Sequence, residues 1–271
     1  MVIAGYSPIA SQIGVSSGLA ALSAWNYFEE ETKNLLIQIG FHNNLEETLL
    51  GMKKGKREGF FETKGIDELL RIESIGSHGE AVIERAVLTL HCGEGKFHLL
   101  PSTTKVNESI YKKEVMRWLP SMIERCKKEY DYIFIDVGWE QKEIWEELEK
   151  IVDQTLYFFP QNRWMFEKFE QREFRKNQSI VLAKYMDQSF FNESNIKILF
   201  PKLGKHIIGT IPYQYQYMDS WSKGSGMKYL AIQCDIEKRE RNIFWEQIGR
   251  VMKKLKREEI RGKKDRMERK N

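Results

Sequence analysis

No run of eighteen or more apolar residues occurs among the 271 residues, so the sequence offers no helix apolar and long enough to cross a bilayer. The opening stretch, Met1 to Gly14, has no basic segment ahead of an apolar one, which argues against a secretory leader and predicts a cytoplasmic protein. Cysteine is scarce. Cys92, Cys126 and Cys234 stand far apart and form no C-x-x-C pair, which excludes a disulfide framework and a cysteine-built zinc site. The five histidines are scattered, none in H-E-x-x-H spacing, so no metal site made of protein ligands alone is expected. Net charge is also nearly missing from most of the chain. The total of +4 conceals +6 over residues 253–271, where ten Lys/Arg meet four Asp/Glu, and this leaves about −2 for the first 252.

What the chain does have is 41% hydrophobic and 12% aromatic content, enough for one substantial core. Short segments rich in Ile, Val, Leu and Phe at 35–39, 97–100, 132–135, 155–159 and 179–183 read as buried strands, with 2–5 and 206–210 as two more. Between them, residues 111–128, 141–152, 164–175 and 192–203 have helical spacing, and 236–255 reads as a long closing helix. Strand alternating with helix predicts an α/β fold in three layers, a mostly parallel central sheet between two layers of helices. Residues 87–100, which include Cys92-Gly93-Glu94-Gly95, read alternatively as a hairpin that adds an antiparallel edge strand. The chain thus divides into a globular part, 1–252, and a basic tail, 253–271. From 256 onward only Ile260 and Met267 are sizeable hydrophobes, so this stretch reads as a frayed helix or disorder.

In an open α/β sheet, ligands sit beyond the carboxyl ends of the strands, and the first strand-to-helix turn is where a phosphate loop belongs. Here that turn runs from Tyr6 to Gly18. A working loop needs glycines so that backbone amides converge on phosphates, a lysine for the β- and γ-phosphates, and a Ser or Thr hydroxyl for magnesium. This one keeps Gly14 and Ser16 and loses the rest; taken alone it reads more readily as a serine-rich turn capping a helix.

The rest of the chain resembles the ParA/MinD family of deviant Walker ATPases over nearly its whole length. Against that family's K-G-G-x-G-K-[ST]-[ST] loop, Gly14, Ser16 and Ser17 match, while Ala10 replaces the signature lysine, Ser11 and Gln12 two glycines, and Val15 the phosphate-binding lysine. Residues 33–40 are similar to the strand ending L-I-D-x-D, with Gln38 and Gly40 in place of both aspartates. Residues 130–136 are close to the Y-D-Y-I-I-I-D strand, and the resemblance makes Asp136 the holder of a magnesium-bound water. Ala183 stands where an asparagine touches adenine, and residues 203–213 match the L-G … G-x-I-P-Y segment.

The resemblance implies a P-loop fold whose chemistry has decayed. The lysines that would stabilise developing charge are absent, and so is the aspartate that helps position water. It therefore predicts a pseudo-ATPase, with vestigial nucleotide binding at Gly14, Ser16 and Ser17, a metal role for Asp136, and ATP and magnesium as the implied cofactors. The alternative is an active ATPase with an atypical loop. Lys33, Lys105 and Lys184 are the candidate substitute lysines, and no sequence signal places any of them over the loop. Shedding the loop while keeping the domain is most similar to the TadZ/CpaE pilus-assembly branch, and no segment here resembles the receiver-like domain many of those relatives carry. That likeness implies positioning or scaffolding, with a protein partner or a homodimer, and Trp139, Trp164, Tyr215, Tyr217 and Trp221 are the candidate docking aromatics. The tail residues Lys253, Lys254, Lys256, Arg257, Arg261, Lys263 and Lys264 suit anionic lipid headgroups, as in the basic helix of MinD proteins, which implies peripheral attachment at the inner face of the membrane. DNA backbone rewards the same charge.

Overall fold

The computed structural model describes residues 1–9, 13–40, 44–52, 64–74, 81–90, 95–103, 107–138, 141–236 and 242–268. The strands are β1 (Val2–Tyr6), β2 (Lys33–Gln38), β3 (Leu88–Leu90), β4 (Lys96–Leu100), β5 (Tyr132–Gly138), β6 (Gln154–Phe159), β7 (Gln178–Tyr185) and β8 (Ile207–Pro212). The helices are α1 (Val15–Glu30), α2 (Leu45–Leu50), α3 (Ile66–Ser74), α4 (Ala81–Ala86), α5 (Glu108–Glu129), α6 (Lys142–Ile151), α7 (Arg163–Phe169), α8 (Glu193–Leu199), α9 (Pro201–Gly204), α10 (Tyr215–Ser222), α11 (Gly226–Asp235) and α12 (Ile243–Glu268).

The strands form one sheet in the order β3-β4-β2-β5-β1-β6-β7-β8. Every pairing is parallel except β3 with β4. The hairpin alternative for residues 87–100 is thus the one the chain adopts. Because the central strands are buried on both faces, their side chains alternate between two cores. Ala4, Ile37 and Ile135 face one, with α5 to α9; Ile3, Leu36 and Phe134 face the other, with α1, α11 and α12. This is the expected three-layer α/β/α arrangement. From β1 the chain crosses to β2 on one side, whereas from β5 it crosses β1 to reach β6 on the other, so a crevice opens over the carboxyl end of β1, where such sheets bind ligands.

Two expected helices end sooner than their spacing suggests. α7 stops at Phe169, because Glu170 is drawn off to accept the backbone N–H groups of Lys202 and Leu203. Arg172 then turns in over the Tyr157 ring, 4.7 Å from its centroid, beside buried Glu149. The segment 192–203 breaks at Phe200-Pro201: a residue before proline avoids the helical region, and Pro201 opens the short α9 instead. The closing helix starts later than expected. Ile236 ends α11, and the Asn242 side chain caps α12 by accepting the Trp245 N–H at 3.0 Å.

The largest departure is at the tail. Rather than fraying from residue 256, α12 continues as helix to Glu268. Its apolar stripe is buried from Phe244 through Leu255, while Ile243 at its start is exposed. Beyond that, Lys256 lies over the Tyr132 ring at 5.1 Å and pairs with Glu30 at 3.4 Å, while Glu258 accepts a hydrogen bond from Ser179. These contacts dock the first turns of the tail and offset their ordering entropy.

α1 lies unusually close to the sheet. A Cβ on Gly5 would come within 2.5 Å of the Leu19 side chain, and one on Gly18 within 2.5 Å of the Phe158 ring. Forcing a methyl into such a gap typically costs about 1–3 kcal/mol. Gly5→Ala is therefore expected to lower the urea midpoint by that amount of stability without changing the slope of the transition. An unchanged midpoint would mean that α1 can retreat from the sheet at no cost.

Candidate functional site

β1 and β5 run in register until Gly5 faces Asp136; one residue is then skipped, and Tyr6 faces Gly138. The skip leaves the Asp136 carboxylate at the strand end beneath a tight turn, with Gly138 at φ +69° and its N–H donating to Asp136 Oδ1 at 3.0 Å. Asp136 is fully buried, and its Oδ2 has no direct hydrogen-bond partner. Burial pushes the carboxyl up to about 6, against the pull of the Ser16 hydroxyl and the Gly138 amide. On the neighbouring strand Gln38 faces Asp136. Its Oε1 accepts the Leu45 N–H at 3.1 Å, capping α2, while its Nε2 is buried without a partner. Ser7, whose N–H is bound to Gly138, also holds its hydroxyl buried and unpartnered. Three orphaned polar atoms thus collect at the carboxyl ends of β1, β2 and β5. Folded proteins rarely tolerate such a group without a ligand, water or other use for it.

Above them stands the amino terminus of α1. Gly14 takes φ +95°, a left-handed conformation that glycine adopts without strain, and no side chain caps the helix. The first turn carries no acidic residue, so its positive dipole end is not neutralised from within the helix. Tyr217, fully buried, reaches across from α10 and donates to the Ser17 carbonyl at 2.9 Å. A cleft of 520 Å³ opens here, with Ser7, Gly14, Ser16, Ser17 and Lys184 among its walls.

The sequence-predicted residues Gly14, Ser16 and Ser17 therefore line one cleft, with Asp136 beneath Ser16. Ala10, Ser11, Gln12 and Trp139 lie outside the described residues. The other substituted positions have taken on structural tasks. Val15 belongs to the core, Gln38 caps α2, Ala183 is packed between the sheet and its helices, and the Gly40 carbonyl accepts the Ser102 hydroxyl at 2.6 Å. Of the docking aromatics, Trp164 and Tyr215 are exposed at 56% and 61%; Tyr217 is instead a core residue, removed from any surface, and Trp221 is half-buried.

The candidate lysines separate clearly. Lys33 stacks on Tyr130, 4.7 Å from the ring centroid, at the amino-terminal end of β2. Lys105 lies outside the described residues. Lys184 reaches the cleft, because it is the extra residue where β7 slips register against β8 and it sits at φ +49°. Its aliphatic chain passes over Gly14. The sequence named Lys184 as a candidate without placing it over the loop, and missed Ser7; a lysine directly after the position of the expected asparagine was the one available signal.

The tail residues lie elsewhere. Lys253, Lys254 and Arg257, with Arg250, line a separate 330 Å³ groove beside Gly209 of β8, whereas Lys256 is turned inward onto Trp25 and Tyr132. The side chains of Arg261, Lys263 and Lys264 lie outside the described residues. No helix among the described residues is long and apolar enough to cross a membrane.

No protein-family model matches the chain, and no curated protein sequence does. Solved structures do. The chain is similar to a ParA family ATPase from Chlorobium tepidum TLS, with 15% identity over 91% of this chain and 96% of that one at a TM-score of 0.66. It is similar to the cell division ATPase MinD of Pyrococcus furiosus, with 15% identity over 94% and 98% and a TM-score of 0.64. A plasmid partition protein of Borrelia burgdorferi bound to AMPPNP matches at 14% identity over 93% and 96%, with a TM-score of 0.59. The chain thus has the α/β fold of the ParA/MinD ATPases.

Magnesium-nucleotide suits part of this donor set. The orphaned Asp136 Oδ2 and the Ser16 hydroxyl offer oxygens to a hydrated cation, while among the described residues no cluster of three His, Cys, Asp or Glu could hold one unaided. When bound, the metal would supply charge neutralisation to phosphate.

Asp136 also sets a pH dependence. Its folded pKa, about 6, exceeds the ordinary 3.8, so the folded state holds the proton longer and stability falls as pH rises between those values. The cost above pH 6 is on the order of 3 kcal/mol. Asp136→Asn should consequently melt higher than the parent at pH 8, with the advantage vanishing near pH 4. A pH-independent difference would show that the carboxylate is not buried in its charged form.

Proposed function

We propose that this chain is a catalytically degenerate ParA/MinD-like protein, of the divergent TadZ/CpaE-like kind, that positions or scaffolds a cellular machine without significant ATP hydrolysis. The observation that carries this reading is the fate of the catalytic positions. Val15, an apolar residue packed into the core, stands where the phosphate-binding lysine would be, and Gln38, with its Oε1 given to the Leu45 N–H, stands where the aspartate would be, so neither brings a charge to phosphoryl transfer. The test is phosphate release from magnesium-ATP at saturating protein. The expected result is turnover at the buffer background; turnover comparable to active ParA/MinD ATPases that Asp136→Ala abolishes would establish the second reading, an active enzyme with an atypical loop. What favours that second reading is Lys184, a cation standing in the cleft.

The division of labour follows the same plan, with 1–252 as the ParA/MinD-like domain and 253–271 as the tail that meets an anionic surface. We take that surface to be the inner face of the membrane, reached from the cytoplasm, with DNA as the competing target and a protein partner or homodimer as the cargo link. Each basic residue near an anionic bilayer contributes about 1 kcal/mol. Reversing Arg261, Lys263 and Lys264 to glutamate, which leaves the docked Lys256 in place, should abolish pelleting with phosphatidylserine vesicles. Retention on DNA but not on vesicles would move the tail to nucleic acid, and pelleting with neither would leave it a solvated helix.

A further inference from the structure

We propose that Lys184 supplies from β7 the cation that the loop lacks, and that the cleft holds a phosphate-bearing ligand between Lys184, the Ser7 hydroxyl and the amino terminus of α1. This deepens the reading of a degenerate ParA/MinD-like protein, on which it rests, by giving the cleft a ligand class without requiring turnover.

Four independent features converge. The first is the backbone. Lys184 is one of two non-glycine residues with positive φ among the described residues, a conformation that costs an L-residue on the order of 1–2 kcal/mol. The sheet does not need it, since β7 and β8 pair on both sides of the slip; its effect is to aim this side chain into the cleft, as bulges beside binding sites do.

The second is charge. Lys184 is half-buried, makes no hydrogen bond or ion pair among the described residues, and burial alone depresses its pKa, with no carboxylate near enough to raise it. The third is what it faces. Its chain lies across Gly14, at the positive end of α1, where no side chain caps the helix and the first turn itself carries no acidic residue, the Asp136 carboxylate lying against Ser16 on the strand side. A cation against a helix amino terminus is a repulsive arrangement on its own, and an anion placed between them makes both attractive. The fourth is Ser7, whose fully buried, unpartnered hydroxyl lines the same cleft. A phosphate group satisfies all of these, since it carries negative charge and several acceptor oxygens.

The simpler alternative is that the lysine stem merely covers Gly14 while its amine reaches solvent. Lys184→Met separates the two, because it keeps the cover and removes the charge. Affinity for pyrophosphate, ADP and ATP, each with and without magnesium, would be measured by titration calorimetry on the full chain, with phosphate release followed in the same samples. The expected result is binding by the parent, weakened about tenfold or more in Lys184→Met by loss of a charge-assisted contact, and largely retained in Lys184→Arg. Ser7→Ala should weaken binding a few-fold while leaving the melting temperature unchanged or higher, because its hydroxyl makes no bond in the free protein. Equal affinity in the parent and Lys184→Met, or no binding of any of the three compounds at millimolar concentration, overturns the proposal. Release of phosphate at the rate of an active ATPase bears on the pseudo-ATPase reading alone; affinity that depends on Lys184, with or without turnover, supports the site.

Discussion

The depth at which α1 rests on the sheet governs most of what surrounds it. Gly5 on β1 and Gly18 on α1 remove two side chains from the interface, so that Leu19 and Phe158 close the gap directly. α1 begins directly after Gly14, so this contact also sets the height of its amino terminus above β1 and β5 and brings Ser16 against Asp136. Tyr217 fastens the same turn from the other side through the Ser17 carbonyl. Without the close contact, the buried carboxylate, the helix end and the cleft would be three separate features.

Three positions at which the chain departs from the ParA/MinD sequence pattern are built into the fold. Val15 adds apolar area to the core that α1 shares with β8 and α12, and Gln38 gives its Oε1 to the start of α2. Gly40 gives its carbonyl to Ser102. Beside them Ser7 Oγ, Gln38 Nε2 and Asp136 Oδ2 remain buried without partners, so the carboxyl ends of β1, β2 and β5 keep polar groups that the fold itself does not use.

The strands were legible in the sequence because a strand buried on both faces is nearly all apolar, and residues 132–135 and 155–159 have no other way to be hidden. Gly14, Ser16, Ser17 and Asp136 were legible through their order along the chain. Lys184 was not: whether a lysine at a strand end points to water or into a cleft depends on a one-residue slip in pairing, which leaves no mark in composition. The true end of α7 was hidden for a similar reason, since Glu170 and Arg172 are called away by partners distant in sequence, on α9 and β6. The tail misled in the opposite sense. Its polarity suggested a frayed helix or disorder, but Lys256 sets its ammonium over the Trp25 and Tyr132 rings, a contact that a count of hydrophobic residues does not register.

α12 joins the two ends of the molecule. Near its start, Phe244 packs against Tyr217, which holds the loop at the carboxyl ends of the strands. Twelve and fourteen residues later, Lys256 and Glu258 meet Tyr132 and Ser179 at the amino-terminal ends of β5 and β7. The cleft and the basic tail therefore sit on opposite rims of the sheet, about 20 Å apart along one unbroken helix. Two partners engaged at these rims would be held at a fixed spacing and angle by a rigid spar, so the geometry between them is a property of the fold and not of a tether.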